Sequence, residues 1–402
     1  MKKVLLLFIF LSLFIFSCRD SDTSQLKRET LFNIRYGNMD DQIDISFNRH
    51  TFSINPAHVR MVDGIIYVLN SNLRKVMKFT SFGDLIALIG RRDENSTPVL
   101  FEENDPLEVV NRRAVFFPFN NIGTIRVDRR QHIYVSDLLP RERHEFDEVN
   151  NIVLSHIIYK FDNNANFINS LGQDGVGGKP FPFIKSIETN NNNDIIVVTI
   201  TEAKKIVFWF SAEGNLKYRV ELDEDSIPFP VGDLNFFYSI ETIKPSSIGY
   251  LLYIKTQYYE RKIDPITGMQ SDFDFYKSFI NVLDLQAGTY INMIEIPEVY
   301  TSPLGQSNFM QKPMRVLYDF MDIVNNRYLF LSSKINDRTL QILILDTDGR
   351  AVGQSRINID FENYHHIDID VSNEGIITAL LAGDSEANIV WWRANSILRR
   401  GR

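Results

Sequence analysis

Short apolar runs rich in Ile, Val, Tyr and Phe recur between clusters of Gly, Asn and Asp along most of this 402-residue chain. Almost no segment beyond residue 30 sustains a 3.6-residue apolar period, so the rhythm reads as strands joined by turns and the chain as all-β. The runs also repeat as a larger unit: strand, polar turn, strand, strand, Gly or Asn turn, strand. In 122–172, IGTIRVD turns at Arg129-Arg130-Gln131 into HIYVSD, and after a loop SHIIYKFD turns at Asn163-Asn164-Ala165-Asn166 into FINSLG. Upstream, HVRMVDGIIYVLN leads to KVMKFTSFGDLIALIG, with Gly83 in the second turn. Downstream, IKSIETNNNNDIIVVTI leads to KKIVFWFSAEGNLKYRVEL, with Gly214 at that place. Two longer copies follow, 239–296 with Gly288 and 316–359 with Gly349.

Units of four strands repeated in this order are propeller blades. The stretches LGQDGVGGKPFPFIKSIETNNNNDIIVV and IGTIRVDRRQHIYVSD resemble the NHL repeat, whose units run Gly-rich loop, Phe, Pro, strand, Asp and Gly turn, then Tyr-Val-x-Asp. The resemblance spans roughly residues 31–396; it is clear in the first three units and diluted by inserts later, and Asn70 replaces the Asp in the first copy. It implies an NHL-like six-bladed fold and carries no catalytic residue with it. Five continuous units need a sixth for closure. HHIDIDVSNEGIITALLAGDSEANIVWWR supplies three strands, and Leu31-Phe32-Asn33-Ile34-Arg35-Tyr36-Gly37 reads as an orphan fourth, so the two fragments are expected to make one blade and remove an exposed edge. A seven-bladed ring is the alternative if 99–119 hides strands of its own.

In an antiparallel blade the chain alternates faces. First-to-second and third-to-fourth turns share one face and are short here; the remaining links, 91–121, 138–155, 172–183, 223–238, 258–277 and 297–314, hold nearly all the surplus length. Binding loops on a rigid scaffold are expected on that long-loop face. By the same alternation the N-terminal segment leaves from the short-turn face, which is expected to look toward a membrane.

That membrane enters through the chain's single cysteine, Cys18. It follows Met1-Lys2-Lys3 and an apolar run, 4–16, of about 13 residues, the size of a signal-peptide core and too short for the roughly 20 residues of a spanning helix. Ile15-Phe16-Ser17-Cys18 resembles the bacterial lipobox, which implies cleavage before Cys18 and an N-terminal diacylglycerol and fatty acyl modification on it. The expected layout is a signal peptide at 1–17, a flexible tether at 18–30, a propeller at 31–398 and a basic tail at 399–402, in the bacterial cell envelope at a periplasmic or external face. With no second cysteine the fold cannot lean on a disulfide. Hydrophobic residues at 44% and charged residues at 23% suffice for a core. A net charge of −8 without a basic tract argues against nucleic acid as a partner.

Motifs for chemistry are weak. The seven histidines are scattered, Asp346-Thr347-Asp348-Gly349 lacks the later ligands of a calcium loop, and the Gly172–Lys179 stretch, followed by Pro180, lacks the Ser or Thr of a P-loop. No metal ligand set, catalytic residue or further cofactor is expected. What stands out is arginine with aromatics in the long links: Arg112, Arg113 and Phe116; Arg141, Arg143 and His144; Tyr258, Tyr259, Arg261, Phe273 and Tyr276. These types are enriched at protein interfaces, so the expected role is docking an envelope protein or peptide. The alternative is a metal-dependent hydrolase or lyase, which needs at least three His, Asp or Glu side chains around an ion near the axis.

Overall fold

The computed structural model describes residues 24–45, 47–48, 53–54, 56–90, 113–223, 225–230, 236–263, 266–267, 270–301 and 314–400. Six four-stranded antiparallel blades form a closed ring. Blade 1 holds Ala57–Val62, Ile65–Asn70, Lys75–Phe79 and Leu85–Gly90; blade 2 holds Ile122–Val127, Ile133–Leu138, His156–Phe161 and Phe167–Gly172. Blade 3 holds Phe183–Thr189, Ile195–Ile200, Lys205–Phe210 and Leu216–Leu222; blade 4 holds Phe236–Pro245, Leu251–Ile263, Gln270–Asp284 and Thr289–Ile296. Blade 5 holds Asp319–Val324, Tyr328–Asn336, Thr339–Asp346 and Ala351–Asn358. Blade 6 combines His366–Val371, Ile377–Ala382 and Glu386–Trp392 with the N-terminal strand Glu29–Arg35, paired from Glu29 with Trp391 to Arg35 with Glu386. The expected closure is therefore present, and a seventh blade is not needed. The strand within 99–119, Arg113–Phe116, adds in parallel to the outer edge of blade 1.

The core is divided into layers, each lying between two adjacent blades. Blades 3 and 4 share Ile196, Val198, Trp209, Leu252 and Ile254; blades 2 and 3 share Ile158, Ile195, Val197 and Phe208. Consecutive residues of one strand thus feed opposite layers, which is why Ile195-Ile196-Val197-Val198 is an unbroken apolar run where a one-sided sheet would alternate. Blade 6 packs on blade 1 through Ile34, Ile389, Val59 and Val68, so the ring is closed by side chains as well as by strand pairing.

Turn chemistry follows the sequence. Asp63 and Gly64 both have positive φ, 50° and 76°, as a two-residue hairpin of the I′ type demands. Gly214 has φ of 90°, and a Cβ there would lie 2.7 Å from Val176 Cγ2, so neither conformation nor space admits a side chain. The Asp of the repeat motif holds backbone in place. Asp137 accepts hydrogen bonds from the Asn120 and Asn121 backbone N–H groups at 2.9 and 2.6 Å, fastening the link that enters blade 2. Asn70 does the same in blade 1 by exchanging two hydrogen bonds with the Asp44 backbone.

The structure differs from the sequence reading at both ends. The segment read as a tether to residue 30 docks from residue 24: Ser24–Gln25 pairs in parallel with Ser355 and Arg356 on the outer edge of blade 5, the Leu26 N–H donates to Arg356 O at 2.9 Å, and the Leu26 side chain is buried in the layer between blades 5 and 6. A single apolar residue in a polar stretch was enough to seat it. At the other end, Asn395–Arg400 forms a short helix in place of the start of a free basic tail, with Ile397 packed over Gly353.

Candidate partner-binding face and the axial charge ring

Each blade brings its first strand to the axis, and each first strand carries one charged residue just before its terminal turn: Arg60, Arg126, Glu188, Lys244, Asp322 and Asp370. They meet as one network. The Arg126 guanidinium lies 3.5 Å from Glu188, 3.2 Å from Asp322 and 3.3 Å from Asp370, while Lys244 reaches Glu188 at 2.7 Å. Arg60 joins Asp368 at 3.0 Å and Asp370 at 3.7 Å, and His58 adds a 2.9 Å contact to Asp368. Burial works against the charge on Arg126, but the three carboxylates outweigh it and hold its pKa above the ordinary guanidinium value. Burial likewise opposes ionised Glu188 and Asp368; Lys244 and Arg126 for the former, and Arg60 with His58 for the latter, outweigh it and hold both below the usual carboxylate range. Asp370 is the exception, pushed upward because burial and neighbouring Asp322 outweigh Arg60 and Arg126.

Three carboxylates from three blades do converge at the axis, as a metal-dependent enzyme would require. The guanidinium of Arg126 occupies the position among them, so their charge is already answered. Among the described residues no group of three His, Cys, Asp or Glu side chains is disposed to hold a metal ion. The described histidines have separate attachments: His132 to Asp128, His144 to the Leu139 carbonyl, His156 to Ser155, His365 to Asp384 and His366 to the Ala57 carbonyl.

Among the described residues, the long-loop face carries a projecting hairpin of blade 4. The stretch 258–277, read from sequence as a link, is the continuation of two strands: Leu251–Ile263 and Gln270–Asp284 stay paired out to Ile263 and Gln270. Burial gives way to exposure from Glu260 outward. Phe237, Tyr259 and Phe275 lie directly across from one another on three strands, and Arg261 opposite Phe273 forms the next row. Phe237 and Tyr259 stack at 5.2 Å; Phe273 stands edge-on to both, at 5.5 and 5.8 Å; Arg261 lies over the Phe237 ring at 5.8 Å. Arg315 covers Phe275 at 5.1 Å and Tyr300 at 5.9 Å. Phe273 is 52% exposed and Tyr300 51%. The opposite side of the same hairpin is charged, with Glu260, Lys262, Asp272 and Asp274. Cation–aromatic stacking of this kind holds a platform in shape without burying it.

The remaining expected site residues are dispersed. Tyr258 is a correction. Its ring is fully buried, its hydroxyl donates to the Pro228 carbonyl at 2.7 Å and accepts from Asn281 at 3.1 Å, so it supports the hairpin's base and presents nothing to a partner. Arg113 is another, because its strand runs parallel to Leu85–Gly90 and starts away from the long-loop face; its guanidinium donates to Asn166 in a short turn of blade 2. Phe116, level with Gly90, is exposed at the end of that strand. Arg141 and Arg143 lie exposed on a 3-10 turn, Arg143 reaching the Tyr159 hydroxyl, beside His144. Tyr276 packs on Phe236 at 5.0 Å. Arg112 and Cys18 lie outside the described residues. The sequence reading missed Phe237, Tyr300 and Arg315 on the platform, and the whole axial ring. The ring did have a signal, a charged residue at the same place in six first strands.

No family model matches this chain, and no curated protein matches it. Solved structures of low similarity do. A Bacteroides fragilis protein inferred to be exported is 11% identical over 91% of this chain and 95% of its own, with a TM-score of 0.39. A Bacteroides caccae protein of unknown function is 11% identical over 77% of this chain and 88% of its own, with a TM-score of 0.36. Dipeptidyl peptidase 4 of Porphyromonas gingivalis is 11% identical over 81% of this chain, with a TM-score of 0.35, and this chain spans only 44% of the peptidase.

Proposed function

We propose that this chain is an NHL-like envelope propeller, held to a membrane through acylated Cys18, that docks a protein or peptide on its long-loop face. One observation carries the reading: the projecting hairpin of blade 4 displays Tyr259, Phe273 and Phe275 with Arg261 on one side while the axis is occupied by matched charge. Preordered aromatics with arginine at their edge lose little freedom on binding, which favours affinity. Supporting the anchor are the Lys-Lys start, the short apolar run and the placement of the sole cysteine at its end.

Replacing Tyr259, Arg261 and Phe273 together by serine abolishes a cross-linked envelope partner and leaves the melting temperature in place; retained cross-linking refutes the docking face. Radioactive fatty acid labels the wild type and not Cys18→Ser. Undiminished label in that variant refutes the anchor.

A further inference from the structure

The docked segment that begins at Ser24 changes how the ring can stand on a membrane. Six Cα steps separate Cys18 from Ser24, and a fully extended chain covers at most ~3.6 Å per step, so Cys18 lies within roughly 22 Å of Ser24. Ser24 is on the outermost edge of blade 5 and not near the axis. The C-terminal helix packs on the same edge through Ile397 over Gly353. The first and last described segments therefore meet at the circumference between blades 5 and 6, where Asn395 also lies against Gly375 at the border of the short-turn face.

That sector is cationic. Lys27 is exposed, Arg28 donates to the Tyr364 hydroxyl, and Arg393 lies exposed over the Trp391 ring at 5.1 Å. Glu29, bound to the Trp391 indole at 2.9 Å and 3.7 Å from Arg393, offsets one of these charges. Two open cavities lie along the rim, one of about 460 Å3 lined by Lys27, Arg28 and Asp360 and one of about 250 Å3 lined by Lys27, Glu29 and Arg393. The short-turn face offers no such bias, since exposed Asp63, Asp84, Glu213, Asp348 and Glu374 are set against Arg129, Arg130, Arg327 and Arg350. Anionic headgroups attract juxtamembrane Lys and Arg within a Debye length of the surface.

We propose that the rim between blades 5 and 6, and not the flat short-turn face, rests on an anionic lipid surface, so that the ring stands tilted on that edge. The proposal rests on the acylation of Cys18. It is tested with purified acylated protein in vesicles of phosphatidylcholine and phosphatidylglycerol. Acylated Cys18 is closed to thiol labels, so single fluorophores go on Ser396→Cys at the rim and Glu213→Cys on the short-turn face of blade 3. A nitroxide on the lipid headgroup quenches the label at 396 several-fold more than that at 213. Equal quenching means a flat posture and overturns the tilt, whereas failure of wild-type protein to float with vesicles overturns the anchor instead. Lys27→Glu with Arg393→Glu, checked for unchanged melting, shrinks the difference between the two labels. An undiminished difference removes the electrostatic basis of the proposal.

Discussion

The axis and the hairpin of blade 4 use the same residue types to opposite ends. Arg126 is buried and touched by three carboxylates, whereas Arg261 is exposed and lies over an aromatic ring. In the first place, charge fixes six strands against one another, and removing a member leaves the others uncompensated. In the second, charge edges an apolar platform and little in the fold depends on it. The difference teaches that an arginine beside aromatics on a projecting strand and one at a ring's centre are distinguished by what answers their charge.

The comparison is broken most directly by Arg126→Met, expected to destabilise the protein by about 3–5 kcal/mol because Glu188, Asp322 and Asp370 are left buried with less compensation. Urea unfolding measures it, and a loss as small as that at an exposed site would mean the ring holds nothing. Acid is the next lever. Glu188 and Asp368 have folded pKa values below their unfolded ones, so the stability they contribute is complete above about pH 4 and is lost as pH falls through the folded values. Asp370 is raised and has the opposite sign: its ionised form is disfavoured in the folded state, and that cost is relieved as pH falls. The urea midpoint is therefore expected to hold from neutrality to about pH 5 and to decline below about pH 4, the two lowered groups prevailing over one. A midpoint still flat at about pH 3 would contradict the ring's electrostatics.

Two adjacent tyrosines sharpen the contrast further. Tyr258→Phe removes the hydroxyl that bonds Pro228 and Asn281 in the core and is expected to cost about 1–2 kcal/mol. Tyr259→Phe removes only a half-exposed bond to Gln257 and is expected to change stability by less than about 0.5 kcal/mol. Arg261→Ala is expected to be smaller still in melting, with its effect confined to capture of the partner. If Tyr259→Phe proved as costly as its neighbour, the hairpin would be structural support and not a docking surface.

These two tyrosines also show what could be read in advance. The blades were legible because strand runs and their turn residues are local, and the closure because one strand lacked a unit on one side and a unit lacked a strand on the other. The hairpin was not, since Glu260, Arg261 and Lys262 look like loop residues, although paired strands continue beyond the ring with both sides facing solvent. Opposite Tyr258 and Tyr259 the partner strand bulges at Tyr276, pairing Lys277 with the one and Phe275 with the other, and no local pattern marks that bulge. The axial network joins residues as far apart as His58 and Asp368, 310 positions, and becomes visible only when first strands are superposed by their turns. Leu26, alone in its polar stretch, gave no pattern at all.

The zipper between Glu29 and Trp391 joins residues 362 positions apart. A chain that emerges N-terminus first has that edge strand out before the five continuous blades, yet its mate follows all of them. Contacts so distant in sequence are slow to form. The ring must therefore wait, with one edge open, until the strands of blade 6 have been made, and a strand that precedes the five continuous blades is the one that completes the assembly.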